Sequence, residues 1–354
     1  MSTVWFTPAT ADTPEHCQKS MRTLLHAAGA ATAFRRGDLV AIKVHVGETA
    51  KRPFLGRELA AVAAREAASA GAHPFFTDTC VLYKSRRDDA VNHVTLAHEH
   101  GYSIEEAGAP FIVADGLRGT DEELISVPAC GPHPVAVAGM ARRADFFVVL
   151  AHATGHLGTG FGGVMKSLGM GLSSRKGKLS MHSVSKPFIR KSTCIACGEC
   201  AKWCPADAIT VAAVASIDVA ACTGCGECLA MCRVGAVGFD WKASSASLQE
   251  RIADHALAVV SGRQDRFLHV SIALRVTKDC DCLDDPGPPL FPDIGILASQ
   301  DPVAVDQATL DLIRDRTGRP LPAWSYPQID PTHQLARGEA IGLGSRSYLL
   351  TTVA

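Results

Sequence analysis

Long apolar runs, an excess of charge of either sign and the familiar nucleotide-binding loops are all missing from this 354-residue chain. No stretch approaches the roughly 20 apolar residues of a bilayer span; the most apolar segment, Asp145 to Leu150, is short. Lys and Arg number 35 against 36 Asp and Glu, a net charge of −1, so no basic stripe is available for nucleic acid. The basic pairs Arg86-Arg87 and Arg142-Arg143 read as solvated helix ends. No G-x4-G-K-[ST] loop occurs, and Gly158 to Gly163 (GTGFGG) fits a dinucleotide fingerprint only loosely. Met1 to Glu15 lacks the basic and apolar regions of a secretory signal, so the expected compartment is the cytoplasm.

Cysteine, in contrast, is abundant. Thirteen in a cytosolic chain point to metal rather than to cross-links. Cys194, Cys197, Cys200 and Cys204, followed by Pro205, and then Cys222, Cys225, Cys228 and Cys232, each repeat the C-x2-C-x2-C-x3-C spacing of bacterial two-cluster ferredoxins. Three closely spaced thiolates wrap three corners of a cubane, and the fourth corner comes from the other run. That rule assigns Cys194, Cys197, Cys200 and Cys232 to one 4Fe-4S cluster, and Cys222, Cys225, Cys228 and Cys204 to a second. Gly198, Gly224 and Gly226 let backbone N–H groups turn toward sulfur. Ala208-Ile209 and Ala236-Val237 follow the two runs at equivalent places, so the segment is an internal duplication. Zinc ribbons and disulfides are the rival readings, but zinc usually takes four ligands in two pairs, not this rhythm.

The remainder reads as α/β, a mostly parallel sheet covered by helices with the two-cluster segment inserted. Strands are expected at Asp38 to Val46, Ala72 to Thr79, Asp145 to Ala151, Phe267 to Val276 and Ile294 to Ala298, with an apolar segment at Pro110 to Ala114. Helices are expected at Leu55 to Ala70, Asp88 to His100, Val135 to Ala144 and Leu248 to Val260. A further helix opens at Asp301, its N-cap, with Pro302 at the first position. Asp306 reads as helix surface. The expected division is 1–187 and 243–354 for the α/β core and 188–242 for the ferredoxin-like insertion.

Glycines crowd Ala151 to Ser183, which follows a strand, where α/β sheets place their ligands. Gly160, Gly162 and Gly163 are candidate cofactor-binding positions, because glycine lets backbone approach a bound group closely. Among them lie His152, His156, Lys166, Lys176, Lys178 and His182, a dense set of donors and bases. The plain alternative is a flexible basic surface loop. Lys43, His45 and Glu48, and Asp78, Lys84, Arg86 and Arg87, follow strand ends on the same face, either as a cleft for an anion or as loop decoration. Cys280 and Cys282, among Asp279, Asp281, Asp284 and Asp285, could hold a third metal or small-molecule cofactor with help from Cys80, His156 or His182. The alternative is a turn held by prolines, its carboxylates facing water. Acidic neighbours would oppose thiolate formation there. Cys17 and Cys130 read as structural.

Phe76 to His93, Gly155 to Gly171, Lys178 to Ser183, the cysteine runs, Asp279 to Cys282 and Asp293 to Ala308 together resemble the iron–sulfur branch of domain-of-unknown-function family 362. His156, Lys166 and His182 are also similar in order and separation to a set in the nickel-pincer lactate racemase family. That similarity implies a proton-transfer residue at His156, a cofactor or substrate anchor at Lys166 and a metal or substrate ligand at His182. The chain departs from the racemases in carrying the cysteine runs and in ending its first strand KVHVGE. The resulting expectation is a cytosolic iron–sulfur oxidoreductase. Its clusters take electrons from a redox partner protein or a small-molecule donor and relay them to a site between the glycine-rich loop and the DCDC turn. The contrasting readings are a non-catalytic electron carrier or scaffold, and an acid/base isomerase with structural clusters. Nothing in the sequence sets the oligomeric state.

Overall fold

The computed structural model describes residues 1–9, 13–48, 56–182, 186–222, 226–239 and 245–353. Its centre is an eight-stranded sheet. In chain order the strands are β1 (Ser2–Pro8), β2 (Leu39–Lys43), β3 (His73–Asp78), β4 (Phe111–Val113), β5 (Phe146–His152), β6 (Phe267–Ala273), β7 (Gly295–Ser299) and β8 (Tyr348–Thr352). Across the sheet they run β8-β1-β7-β6-β5-β2-β3-β4. The block β6-β5-β2-β3-β4 is parallel throughout, β7 is antiparallel to both β6 and β1, and β8 is parallel to β1.

Burial on both faces explains the composition of β5. In FFVVLAH every residue is buried, as a strand covered on both sides requires. Alternation then divides it between two cores: Phe147, Val149 and Ala151 face one, Phe146, Val148 and Leu150 the other. Helices α1 (Pro14–Ala27), α2 (Arg57–Ser69) and α3 (Ala90–Glu99) pack on the second core, through Met21, Leu24, the alanine face of α2 and Leu96. On the first lie α4 (Val164–Gly169), α6 (Ser245–Val260) and α7 (Pro302–Thr317), while α5 (Arg175–Met181) packs beside α6. Asp301 caps α7, accepting from the amides of Val303 and Ala304 at 2.9 Å each. No helix among the described residues is long and apolar enough to cross a membrane.

Several expectations change. Val135 to Ala144 is not one helix: Val135–Ala138 is a strand, antiparallel to Glu122–Ile125, and only Met140–Arg143 turns helical. The Val-Ala alternation buries all four residues, and the Ala138 amide donates to Leu172 O at 2.9 Å, a partner outside the segment. Asp306 is fully buried rather than on a helix surface. Arg142 is half-buried and donates to Val259 O and Ser261 O, closing the C-terminus of α6. Strands β1 and β8, not anticipated from sequence, extend the sheet beyond β7.

Segment 187–239 stands apart from the sheet. Pro187–Ile189 pairs antiparallel with Val237–Phe239, and Ile209–Val211 with Ala215–Ile217. Two short helices, Glu199–Lys202 and Glu227–Met231, each begin after a glycine in the left-handed region, Gly198 (φ 79°) and Gly226 (φ 84°), so the repeat in sequence is also a repeat in backbone. Leu82 and Leu179 of the main body join its small core.

The tightest helix contact is between α4 and α6. A Cβ on Gly169 would lie 2.2 Å from Ile252 O, a backbone atom of α6. Gly169→Ala should therefore force the helices apart and cost about 1–3 kcal/mol, read as a lower urea midpoint at unchanged slope; an unchanged midpoint would show that α4 can shift freely.

Candidate functional site

The carboxyl ends of β2, β3 and β5 deliver Lys43, Asp78 and His152 to one cleft, the position where parallel sheets bind ligands. Its walls enclose about 870 Å³ of space free of protein atoms, the open mouth included. The glycine-rich segment contributes Gly162, Gly163 and Lys166, α5 and its end contribute Lys178 and His182, and the turn after β6 contributes Cys280 to Cys282. Lys43 and His45 also line it. His156 and Gly160 do not; Gly160 packs against Ile329 and Pro331. Cys80, proposed as an extra ligand, is buried elsewhere, its amide donating to Asp115 at 2.9 Å.

Buried charges form the floor. Lys43 Nζ lies 3.0 Å from Asp78 Oδ1, and Arg87 Nη1 lies 3.5 Å from Asp78 Oδ2. Arg87 Nε donates to Glu48 at 3.0 Å, and Tyr83 donates its hydroxyl to the same oxygen at 2.7 Å. Burial would raise the Asp78 carboxyl, but Lys43, His45, His93 and Arg87 hold it well below the usual carboxylate range. Arg87 is only 2 % exposed, so the reading of Arg86-Arg87 as a solvated pair holds for Arg86 alone, which bridges Glu99 at the surface. Nor is Lys178 solvated. Its Nζ donates to Thr79 Oγ1 at 2.6 Å and Ser173 O at 2.7 Å, and burial lowers its pKa. Lys84 and Lys176 pair with Asp88 and Glu122 away from this cleft.

Lys166 owes its position to Asp306. That carboxylate accepts from the amides of Val164 and Met165 at 2.8 Å each, capping α4 from inside the core. Burial pushes Asp306 up to about 7 against the pull of those two N–H groups. Thr154 and Gly162 exchange backbone bonds of 3.0 and 2.9 Å, folding the segment between them into a loop. Within it His156 Nδ1 accepts from the amides of Gly158 and Thr159 at 3.1 Å each. Burial, then the neighbouring Lys166 charge, pushes His156 down to about 3, and the same two causes, with Arg251, push His182 down to about 4. Both imidazoles are neutral bases at physiological pH.

The DCDC turn has the opposite electrostatics from those its acidic sequence suggests. Cys282 Sγ is 3.4 Å from His45 Nε2, while His45 Nδ1 accepts from the Gly47 amide at 3.0 Å, so Nε2 carries the proton and donates to sulfur. A hydrogen bond from Cys280, then the charge of Lys166 and the donor of His45, holds the Cys282 thiol well below its ordinary range despite burial. Cys280 is raised and keeps its proton. Asp281 does not face water: its carboxylate lies 3.1 Å from His152 Nδ1, and His152 Nε2 lies 3.0 Å from Leu274 O. With acceptors at both nitrogens, His152 is an imidazolium. Burial lowers its pKa, and Asp281 and the Leu274 carbonyl more than offset this, so the net shift is upward. Asp284 and Asp285 are exposed, as expected.

Cys194, Cys197, Cys200 and Cys232 line one cavity of about 340 Å³, walled by Ile189, Ile195, Val234 and Val237. Backbone amides donate to sulfur here, among them Ala215 to Cys194 at 3.4 Å, Ala208 to Cys204 at 3.3 Å and Ala236 to Cys232 at 3.1 Å. Cys222 and Cys228 lie in the second run, whose Cys225 and Gly224 fall outside the described residues. Among the described residues no three or more His, Cys, Asp or Glu side chains are gathered so that they could hold a single metal ion. Sequence reasoning missed Tyr83 and the capping role of Asp306; both lie inside stretches that carry the family resemblance, but each is recruited by a partner remote in the chain.

Comparison with known proteins adds a family and two folds. The family described as Domain of unknown function (DUF362) matches residues 40–311. No curated protein matches the chain. Among solved structures, the lactate racemase apoprotein from Thermoanaerobacterium thermosaccharolyticum is similar at 13% identity and a TM-score of 0.45, covering 89% of this chain and 57% of its own. A Thermotoga maritima protein is similar at 10% identity and a TM-score of 0.49, covering 88% of this chain and 61% of its own. The chain thus spans about three fifths of the length of either structure.

The His152–Asp281 pair fixes the turn and gives it a pH signature. His152, raised in the folded state, contributes stability that is complete below the ordinary histidine range and lost as pH rises through its elevated value. Asp281, lowered by His152 despite burial, contributes above the ordinary carboxylate range and loses that as pH falls. Asp281→Asn should cost about 3–5 kcal/mol near pH 6 and flatten the decline in stability on the alkaline side, measured by urea unfolding from pH 5 to 9. A variant as stable as the parent at pH 6 would mean that the pair does not hold the turn.

Proposed function

The chain belongs to the family described as domain of unknown function 362, and from that premise we propose that it is an oxidoreductase of an iron–sulfur branch of the family, acting on a small anionic substrate or cofactor in the cleft. Two 4Fe-4S clusters, when bound by segment 188–242, supply one-electron transfer from a redox partner protein or small-molecule donor. The observation that carries this reading is the cavity lined by Cys194, Cys197, Cys200 and Cys232. Three of these cysteines belong to one run and the fourth to the other, a grouping that supports the crossed ligation proposed for the clusters. Apolar walls and N–H donors to Cys194 and Cys232 suit thiolate ligands there. Cys222, Cys225, Cys228 and Cys204 would hold the second cluster.

In the cleft the residues divide the work by charge. Lys43 and Arg87 are neutralised by Asp78 and Glu48. Lys166, held charged, faces the Cys282 thiolate and orients an anionic group beside it. His45 keeps its proton at Nε2 toward Cys282. His182, neutral and lining the cleft, is proposed as a proton acceptor. Gly162 and Gly163 line the cleft, and a Cβ on either would meet the protein's own Thr154, Phe161 or Asp306. With Asp281 turned to His152, the turn offers two sulfurs, too few for a closed ion site, so its occupant is a substrate or small-molecule cofactor rather than a third structural metal.

Anaerobic purification followed by iron and acid-labile sulfide analysis tests the reading. About eight of each per chain are expected, falling by about half in Cys232→Ser, while Cys280→Ser/Cys282→Ser keeps the full content. Zinc in place of iron, or iron indifferent to Cys232, would remove the basis for electron transfer.

A further inference from the structure

A second and larger cleft lies where the main body meets segment 187–239, enclosing about 1210 Å³ of atom-free space including its mouth. It shares Leu82 and Tyr83 with the first cleft, and Cys232 lies in its wall. Five cations line it, Lys84, Arg118, Arg175, Arg190 and Arg233, against two carboxylates, Asp88 and Asp89. Both acids are already engaged: Asp88 with Lys84 at 2.9 Å, and Asp89 with the amide and side chain of Asn92 at 3.0 and 2.7 Å. Arg190 is braced by Gly235 O at 3.1 Å and by the ring of Phe188. Arg118 and Arg233 are exposed and make no ion pair among the described residues. At the bottom Arg175 is only 7 % exposed; Nη1 donates to Asp88 O at 3.2 Å, but Nε is buried with no acceptor.

Arg175 lines the cleft and makes no ion pair among the described residues, an uncompensated buried charge that a bound anion would balance. Four of the five cations are arginines, whose planar forks match phosphate oxygens in pairs. A flat acidic protein surface could not reach Arg175 at the bottom of a concave cleft, whereas a small molecule can. Leu82, Leu229 and Val237 add apolar side chains to the lining, against which an organic group can pack. We propose that this cleft binds a phosphate-bearing small molecule of nucleoside-diphosphate class, with its phosphates on Arg118, Arg175 and Arg233. Its place beside Cys232 would make the ligand a neighbour of the first cluster, a point that rests on the function proposed above; anion binding itself does not.

The test is calorimetric titration of the cluster-loaded protein with orthophosphate, pyrophosphate and ADP at low and physiological salt, with iron content measured on every sample. Saturable pyrophosphate binding, with ADP at least as tight, is expected. It should weaken about tenfold or more in Arg118→Ala/Arg233→Ala and change by less than about twofold in Lys166→Met, which alters only the first cleft. Absence of saturable binding, or loss in Lys166→Met with retention in the arginine variant, would overturn the assignment. So would binding of poly-glutamate, dependent on the two arginines, without binding of pyrophosphate, since the cleft would then dock an acidic protein. Iron content reports on the clusters separately, so failure of either idea is visible without the other.

Discussion

Everything at the carboxyl end of the sheet depends on four buried charges that can exist there only together. Lys43, Asp78, Arg87 and Glu48 come from β2, β3 and the loops after them, and none is more than 7 % exposed. Each would cost several kcal/mol to desolvate alone. Paired, they fix three pieces of backbone relative to one another. Arg87 is the keystone: its guanidinium reaches Asp78 and Glu48 while its carbonyl accepts from the Val81 amide at 3.0 Å, closing the loop that carries Leu82 and Tyr83. That loop is the wall between the two clefts. The ion network therefore sets the shape of both, and the charge of neither, since its own sum is zero.

Lys166 adds to the charge of the first cleft beside His152 and Lys178, and its placement is a matter of packing. Gly169 lets α4 approach the backbone of α6, and Asp306 ties the first turn of α4 to α7. A helix of six residues has little intrinsic stability; held at both ends by the core, it presents Lys166 as rigidly as a strand would. The neighbouring imidazoles follow from the same arrangement. A lysine that stays charged in a dry site leaves His156 and His182 nothing to gain from protonation, so Lys166 stands beside neutral imidazoles.

Sequence carried the fold wherever burial was two-sided or periodic. β2, β3 and β5 are apolar runs bounded by turns. It failed where a residue's environment comes from a distant partner. Arg86 and Arg87 are identical by composition and adjacent to two aspartates, a pattern that ordinarily means surface; only the backbone path separates them, turning one outward to Glu99 and the other inward to Glu48. Asp306 likewise is the fifth residue of a helix, where an acid is normally solvated, and nothing in α7 foretells that it caps α4. Val135 to Ala138 alternates in a way that suits either a strand or an alanine-rich helix, and its pairing with Glu122–Ile125 decides.

The DCDC turn shows most clearly how geometry can reverse a composition argument. Four aspartates around two cysteines predict a suppressed thiolate, because like charges raise one another's pKa. In the folded chain the nearest of them, Asp281, spends its charge on His152, and Asp284 and Asp285 lie in water where screening is strong. The sulfur of Cys282 meets Lys166 and the proton of His45 instead. The Leu283 amide donates to Cys280 O at 3.1 Å, so Asp281 and Cys282 are the central residues of a closed turn that sends the acid to His152 and the second sulfur to His45. The anchoring carboxylate and the reactive sulfur are thus two outputs of one backbone conformation, and a substitution at Asp281 acts on Cys282 by releasing the turn rather than by removing a negative charge.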